Sequence, residues 1–516
     1  MSIRTVGGRT DHVVVVGAGL SGLSAALHLA GRGRKVTVLE RGAHPGGRVG
    51  RADIGGYLLD TGPTVLTMPD LIDEAFAAVG ETMADRLEVL PVAPAYRASF
   101  ADGSAMDVHA DADAMAAEVE RLAGRAQADG YRRLRAWLTR LYEVEFDGFI
   151  AANFDSPLAL LTPQLARLAA IGGFRRWDRV VRRFVADERL LRVFTFQALY
   201  AGVPPQRALA VYAVIAYMDT ISGVYFPRGG MRALPDAMAA AAVDAGVEFV
   251  YQTTVSGLEA NGGRVSAVRT DSGQTFGADA VVLTTELPDT YRLLGRTPRR
   301  VVPLRAAPSA VVAHVGCRAV GDPSAHHGAD RSAHLGAHHN IVFGDAWKQT
   351  FRDIIDDGRT MSDPSLLVTR PTASDPGLAP AGRDLLYVLA PAPNTAVGKV
   401  DWAVSGDDYV RRMLDVVQAR LPGIGEDAEI LRVDTPADWQ AQGMAAGTPF
   451  ALAHNFAQTG PFRPANTIRG IDNVVLAGSS TVPGVGVPTT MISGRLAADR
   501  ITGAEARRPG LRGVAS

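Results

Sequence analysis

Residues 13–40 constrain the chain more than any other stretch. Val13 to Val16 form an apolar run, Gly17-Ala18-Gly19-Leu20-Ser21-Gly22 follows at once, an apolar-periodic helix comes next, and Lys35-Val36-Thr37-Val38-Leu39-Glu40 closes the unit. Strand, glycine turn, helix and strand in this order make a complete dinucleotide-binding βαβ unit. The glycines divide the mechanical work, since Gly17 makes the tight turn, Gly19 lets backbone approach a diphosphate, and Gly22 lets the helix pack on the sheet. The helix N-terminus offers unpaired N–H groups and a positive dipole end to an anion. Glu40, ending the second strand, is spaced to accept hydrogen bonds from a ribose.

The next run, Glu40-Arg41-Gly42-Ala43-His44-Pro45-Gly46-Gly47-Arg48, separates one dinucleotide from another. It resembles the second glycine signature of the two-dinucleotide-fold flavoproteins, the superfamily of amine oxidases, protoporphyrinogen oxidase and carotenoid desaturases. The resemblance implies FAD, with Gly46 and Gly47 bringing backbone close to the diphosphate and Arg48 adding a fixed positive charge. The fold class expected is therefore α/β, with a Rossmann-like FAD domain and an interleaved, mixed α+β substrate domain.

With 516 residues the chain is long enough for two substantial domains, and 53 basic against 54 acidic residues give nothing global that suggests nucleic acid. Cys317 is the one cysteine, so no internal disulfide and no Cys-x-x-Cys site exist, which fits a reducing cytoplasm. It also leaves no C-terminal cysteine to tether a flavin, so the FAD is expected to be dissociable. The first ten residues are polar and no secretory signal is expected. The longest apolar run, Ala208 to Met218, falls short of the roughly 20 residues that a membrane span needs, so membrane association is expected to be peripheral.

Three separated segments read as nucleotide-associated: 11–104, 221–298 and 471–503. In the second, 247–251 and 254–258 alternate like strands, Asn261-Gly262 supplies a hairpin turn, and Ala280 to Leu283 is a buried strand. In the third, Asn473 to Gly478 is a strand leading into Gly484-Val485-Gly486-Val487-Pro488, which opens an alanine-rich helix. Between them lie a mainly helical region, 105–220, and a mixed substrate region, 299–470; residues 504–516 read as a frayed tail.

Several further segments carry a second resemblance: Asp60-Thr61-Gly62-Pro63-Thr64, Gly223 to Met231, Ala337-His338-His339, Leu386 to Pro391, and Gly478 to Pro488. Together they are similar to the bacterial phytoene desaturase family, and they span nearly the whole chain. That resemblance implies non-covalent FAD and removal of hydrogen pairs from long acyclic carotenoids. It also implies that Val255 contacts the adenosine end, while the Gly486-Val487 helix start faces the flavin pyrimidine edge and Gly478 belongs to the same closing segment. A helix N-terminus there would stabilise negative charge on the reduced ring.

Breaking a C–H bond beside a polyene needs a hydride acceptor, a place for the proton and an apolar tunnel for orientation. Phe194, Phe196, Leu199, Tyr200, Tyr212 and Tyr217 are candidates for the tunnel, or simply core. Asp219 is the candidate base, or the cap of a turn. Glu188 and Arg189 read as a helix ion pair or an entry contact. His326, His327, His334, His338 and His339 follow no metal spacing, and no metal is expected. Gly423-Ile424-Gly425 lacks a third glycine and follows no strand, so no nicotinamide site is expected; electrons would leave to oxygen or a quinone.

Leu165 to Val185 reads as a basic amphipathic helix. Leu165, Leu168, Trp177, Val181, Phe184 and Val185 form its apolar side and Arg167, Arg175, Arg176, Arg179, Arg182 and Arg183 its charged side. Either it docks on a membrane surface or its arginines form a solvated face, with Gly172-Gly173 able to break the pattern. A carotenoid isomerase or ketolase, an amine- or porphyrinogen-type oxidase, and a flavin-free lipid-binding escort protein remain alternatives on this fold.

Overall fold

The computed structural model of the chain describes residues 3–156, 161–319, 337–421, 423–425 and 427–503. His326, His327, His334, Glu426 and the 504–516 tail lie outside them.

The first layer grows from the N-terminal unit. Strand β1 (His12–Val16), helix α1 (Leu20–Gly31) and strand β2 (Lys35–Leu39) follow one another. They sit in a six-stranded sheet whose order is Thr467–Ile468, Ile471–Leu476, Ala280–Leu283, β1, β2, Glu248–Val250. All neighbours are parallel except the first pair, so β1 lies at the centre with Val14 opposite both Val281 and Thr37. A parallel sheet covered on both faces buries every side chain, which explains the unbroken run of valines. Val13, Val14 and Val15 have no exposure, and each stabilises the sheet by about 1.5–3 kcal/mol.

Helix α1 is buried almost all round because a second helix, Val487–Thr502, lies against it. Their approach is close: a Cβ at Gly494 would stand 2.3 Å from the Ser21 carbonyl oxygen. Beyond Val250 the chain forms the antiparallel hairpin Val255–Asn261 and Arg264–Thr270, with Gly262 and Gly263, both at positive φ, making its turn. The turn is thus one residue later than the Asn261-Gly262 pair suggested.

The second layer is a seven-stranded sheet ordered Glu429–Asp434, Ser309–Arg318, Arg383–Ala392, Leu366–Thr369, His339–Val342, Tyr96–Ser99, Ala105–Val108. Tyr96–Ser99 and Ala105–Val108 are the arms of one hairpin, and it straddles residue 104, where the sequence placed the end of the first FAD segment. Both arms belong to the second sheet, because Ile341 pairs with Ala98.

Helices bridge the layers. The long helix Arg125–Glu145 buries Tyr131, Leu134, Leu138 and Leu141 and then widens into a five-residue π-helical turn, Phe146–Ile150. The amphipathic helix expected over Leu165 to Val185 is two short helices, Pro163–Ala170 and Trp177–Val181. Gly172 at φ 89° reverses the chain between them, and Val211 donates to the Gly173 carbonyl there. Most of the apolar side packs inward, with Trp177 and Val181 at zero exposure. No helix among the described residues is long and apolar enough to cross a membrane.

Candidate active site

A cavity of about 1180 Å³ runs from the end of β1 to the second sheet. Pockets for one small molecule hold roughly 300–1,000 Å³, so this space is of a size for a cofactor together with part of a second ligand.

One end is built by the two glycine signatures. Gly17, at φ 103°, turns the chain out of β1, and its N–H donates to the Leu39 carbonyl. Gly46 donates to the Ala18 carbonyl and Gly47 lies against Gly19, so that a Cβ at Gly47 would be 3.1 Å from the Gly19 Cα. Gly22 is closed more tightly, since a Cβ there would meet the Gly17 oxygen at 1.9 Å. Gly19 is different: the nearest protein atom to its Cβ position is 3.9 Å away, and the space beyond is cavity. A cradle that a single methyl would invade is what a diphosphate approaching backbone requires.

Charged groups brace this cradle. Glu40 accepts from the Ala18 N–H at 2.7 Å and from the Gly42 N–H at 2.8 Å, keeping its carboxylate at the cavity wall where a ribose would meet it. Arg48 donates to the Pro449 carbonyl at 3.0 Å and the Ser479 hydroxyl at 2.9 Å, and pairs with Glu286. One guanidinium thus joins three distant segments. Arg41 reaches over Gly443 to the Gln442 carbonyl, and Val255 lines the same end. Gly478 is held by the Ser493 hydroxyl, and Gly486, at φ 127°, caps the helix that starts at Val487. Eleven of the twelve expected cofactor residues line this one cavity, Gly22 packs behind Gly17 without reaching it, and the arrangement fits FAD. Asp60 ties two of the family-like segments together, accepting from the Met231 N–H at 2.7 Å and the Arg232 N–H at 3.1 Å.

The other end is apolar. Phe196, Leu199, Tyr200 and Tyr212 line it as expected. Phe194 and Tyr217 do not: Phe194 stacks on Tyr131 at 5.8 Å in the core, and Tyr217 stacks on Tyr142 at 4.3 Å. Asp219 is buried in this wall and accepts from the Gln197 amide at 3.2 Å. Burial pushes its pKa up to about 8 against the lowering effect of that hydrogen bond. Glu188 and Arg189 do not pair with each other, because Glu188 holds Arg182 at 2.8 Å and Arg189 holds Asp187 at 2.8 Å.

His338 and His339 are buried and neutral, burial lowering both pKa values. His338 Nδ1 meets the Ser374 hydroxyl, whereas His339 lines the cavity and is linked through Thr369 to Thr64. Sequence reasoning missed Glu145 and His454, which are both buried, line the cavity and carry an unpartnered polar atom. For Glu145 the signal was available: Leu134, Leu138, Leu141 and Glu145 share one helical stripe, and an acid on a buried stripe is out of place unless it serves a site.

Comparison with known proteins gives a consistent picture. Residues 20–502 match the family of flavin containing amine oxidoreductases. A phytoene dehydrogenase of Streptomyces griseus is 61% identical over 502 residues, covering 97% of this chain and 96% of that protein. A zeta-carotene-forming phytoene desaturase of Myxococcus xanthus is 37% identical, covering 97% and 95%. Among solved structures, putrescine oxidase bound to putrescine shares the fold at a TM-score of 0.62 and 16% identity, covering 95% of this chain and 98% of that one.

Proposed function

The chain belongs to the phytoene desaturase family of flavin-containing oxidoreductases, and we propose that it desaturates phytoene or a related acyclic carotenoid with FAD held non-covalently in the glycine cradle. The observation that carries this reading is continuity: the cradle and the apolar chamber are one cavity, so a long hydrocarbon entering the chamber reaches the cofactor end without crossing water.

Bound FAD supplies the two-electron acceptor. The chain's own residues do the rest. Gly17, Gly19, Gly22, Gly46 and Gly47 would admit the diphosphate, Glu40 and Val255 would hold the adenosine end, Arg41 would add positive charge, Arg48, paired with Glu286, would brace the cradle, and Gly478, Gly486 and Val487 would hold the flavin end. Phe196, Leu199 and Tyr200 orient the polyene and exclude water. Asp219 takes the departing proton on a carboxylate oxygen, with the Gln197 amide fixing the direction of that oxygen.

The cavity mouth supports a lipid source for the substrate. Phe174 and Phe456 line the cavity yet are 42% and 62% exposed, and Arg175 next to the first of them is exposed, as are Arg179 and Arg183 further along the same segment. The Gly173–Val211 hydrogen bond and the Tyr212–Thr459 hydroxyl contact join the two sides of this rim. Apolar rings with flanking arginines suit the anionic face of a bilayer, each basic residue contributing about 1 kcal/mol. The enzyme therefore works at the cytoplasmic membrane surface, passing electrons to oxygen or a quinone. Liposomes loaded with phytoene, FAD and a quinone should develop red-shifted carotenoid absorption on adding the protein, without NADPH. Strict dependence on NADPH would overturn this reading in favour of a hydroxylase or ketolase.

A further inference from the structure

The apolar chamber contains a polar wall that a hydrocarbon substrate cannot use. Glu145 ends the long helix where it widens into the π-helical turn, a departure from α geometry that recurs at functional sites. Its Oε2 is buried without a partner. Tyr212 lines the same cavity from the short turn Ala210–Ala213, which packs against the long helix; its hydroxyl meets Thr459 and its ring packs 5.5 Å from that of His454. His454 Nδ1 is likewise buried and unpartnered. The other edge of this imidazole fills the space beside Gly484, where a Cβ would stand 2.2 Å from Nε2. The wall therefore begins on the segment that closes the FAD end and runs out into the chamber.

Leaving such groups unpaired against a hydrocarbon costs free energy, so the fold is built for a ligand that brings oxygen to them. Resting on the desaturase reading above, we propose that Glu145, Tyr212 and His454 form the head-group subsite for an isoprenoid 1,4-quinone, with Glu145 donating a proton to a quinone carbonyl oxygen. The same chamber that holds a polyisoprenoid substrate accepts the quinone's isoprenoid tail. Burial raises the Glu145 pKa well above the ordinary carboxylate value, so the group is a neutral acid with an O–H to give. The balance closes. The quinone gains two electrons and one proton from the reduced cofactor and one proton from Glu145, whose O–H bond breaks as the quinol O–H forms. Glu145 then recovers a proton from water. Because the carotenoid proton goes to Asp219, the two buried acids serve opposite half-reactions.

The test uses holoenzyme and decylubiquinone. Binding is read from quenching of tryptophan fluorescence, since Trp347 and Trp439 line the cavity. Glu145→Leu should weaken quinone binding by about tenfold, because the carbonyl loses its donor. Glu145→Gln should keep the binding but slow anaerobic reoxidation of the reduced flavin by the quinone by about tenfold or more, since an amide offers a hydrogen bond and no proton. Reoxidation by oxygen, and bleaching of the flavin by carotenoid, should stay at the wild-type rate in both variants. Quinone binding by Glu145→Leu within about twofold of wild type, a wild type that binds no quinone, or a parallel loss of carotenoid-driven bleaching would each overturn the subsite. A wild-type flavin that quinone reoxidises but carotenoid never bleaches would sink the desaturase reading instead.

Discussion

Gly19 and Gly22 belong to one motif, yet the structure gives them separate roles and predicts opposite consequences for the same methyl group. At Gly22 the new Cβ would lie 1.9 Å from the Gly17 carbonyl oxygen, against an ordinary contact of 3.4 Å or more, so α1 must move by about 1.5 Å or the turn must deform. Overpacking of that kind costs about 1–3 kcal/mol. At Gly19 the backbone has φ −72° and ψ 174°, which alanine adopts freely, and the Cβ would be 3.9 Å from its nearest neighbour. The apoprotein should therefore tolerate Gly19→Ala within about 0.5 kcal/mol. What the methyl occupies is ligand space. At an FAD concentration of about 100 Kd the wild type gains about 2.7 kcal/mol from binding; a variant bound about 100-fold more weakly gains about 0.4 kcal/mol at that concentration. Thermal melting with and without FAD reads both effects. Gly22→Ala should melt lower as apoprotein, and Gly19→Ala should melt with the apo wild type but gain little from FAD. A Gly19→Ala protein that takes up FAD and is stabilised like the wild type would refute the cradle.

Acid or heat should release the yellow chromophore from the holoenzyme into the supernatant; colour that stays with the denatured chain would contradict non-covalent binding. With the Asp219 pKa raised to about 8, the carboxylate form grows as pH rises through that value, so carotenoid-driven flavin bleaching should accelerate from pH 6.5 to about 8.5 and then level off. Asp219→Asn should be slower by about 10²-fold or more and lose that pH dependence; a variant with the wild-type profile would remove Asp219 from proton transfer. Arg179→Glu with Arg183→Glu should weaken sedimentation with anionic liposomes and leave turnover of detergent-dispersed carotenoid intact, whereas unchanged sedimentation of the folded double variant would place the membrane contact elsewhere.

The parts of this protein that the sequence made legible are those where local chemistry and tertiary role coincide. A four-valine strand before three spaced glycines can be read because turn, strand and ligand contact lie within eleven residues. The basic helix failed for the opposite reason. The Leu165 to Val185 periodicity was real, but Gly172 reverses the chain and Trp177 goes to the core, so tertiary packing divided the pattern between two helices. Asp60, Arg48 and Gln197 act through partners 171, 431 and 22 residues away, and spacing along the chain carries no signal for such pairs. Phe194 and Tyr217 show the same limit, since an aromatic of the core and one of a cavity wall look identical in sequence.

The way Arg48 fastens residues 286, 449 and 479 into one cradle, with β1 seated between strands drawn from 35–39 and 280–283, bears on how the chain is made. Ribosomes add about 5–20 residues per second, so β1 and the first glycine turn wait roughly 20–90 s for the strand at Ile471–Leu476 and the helix that covers α1. Throughout that interval the side of α1 that Val487–Thr502 will cover, and the edge of Ala280–Leu283 that Ile471–Leu476 will pair with, stay open. Vitamin supply therefore acts late: FAD cannot steer the nascent chain and can only capture a nearly completed one. Overproduction in flavin-poor cells should then yield finished, colourless chains that accept the cofactor afterwards, while truncation before residue 487 should yield chains that aggregate whatever the riboflavin level.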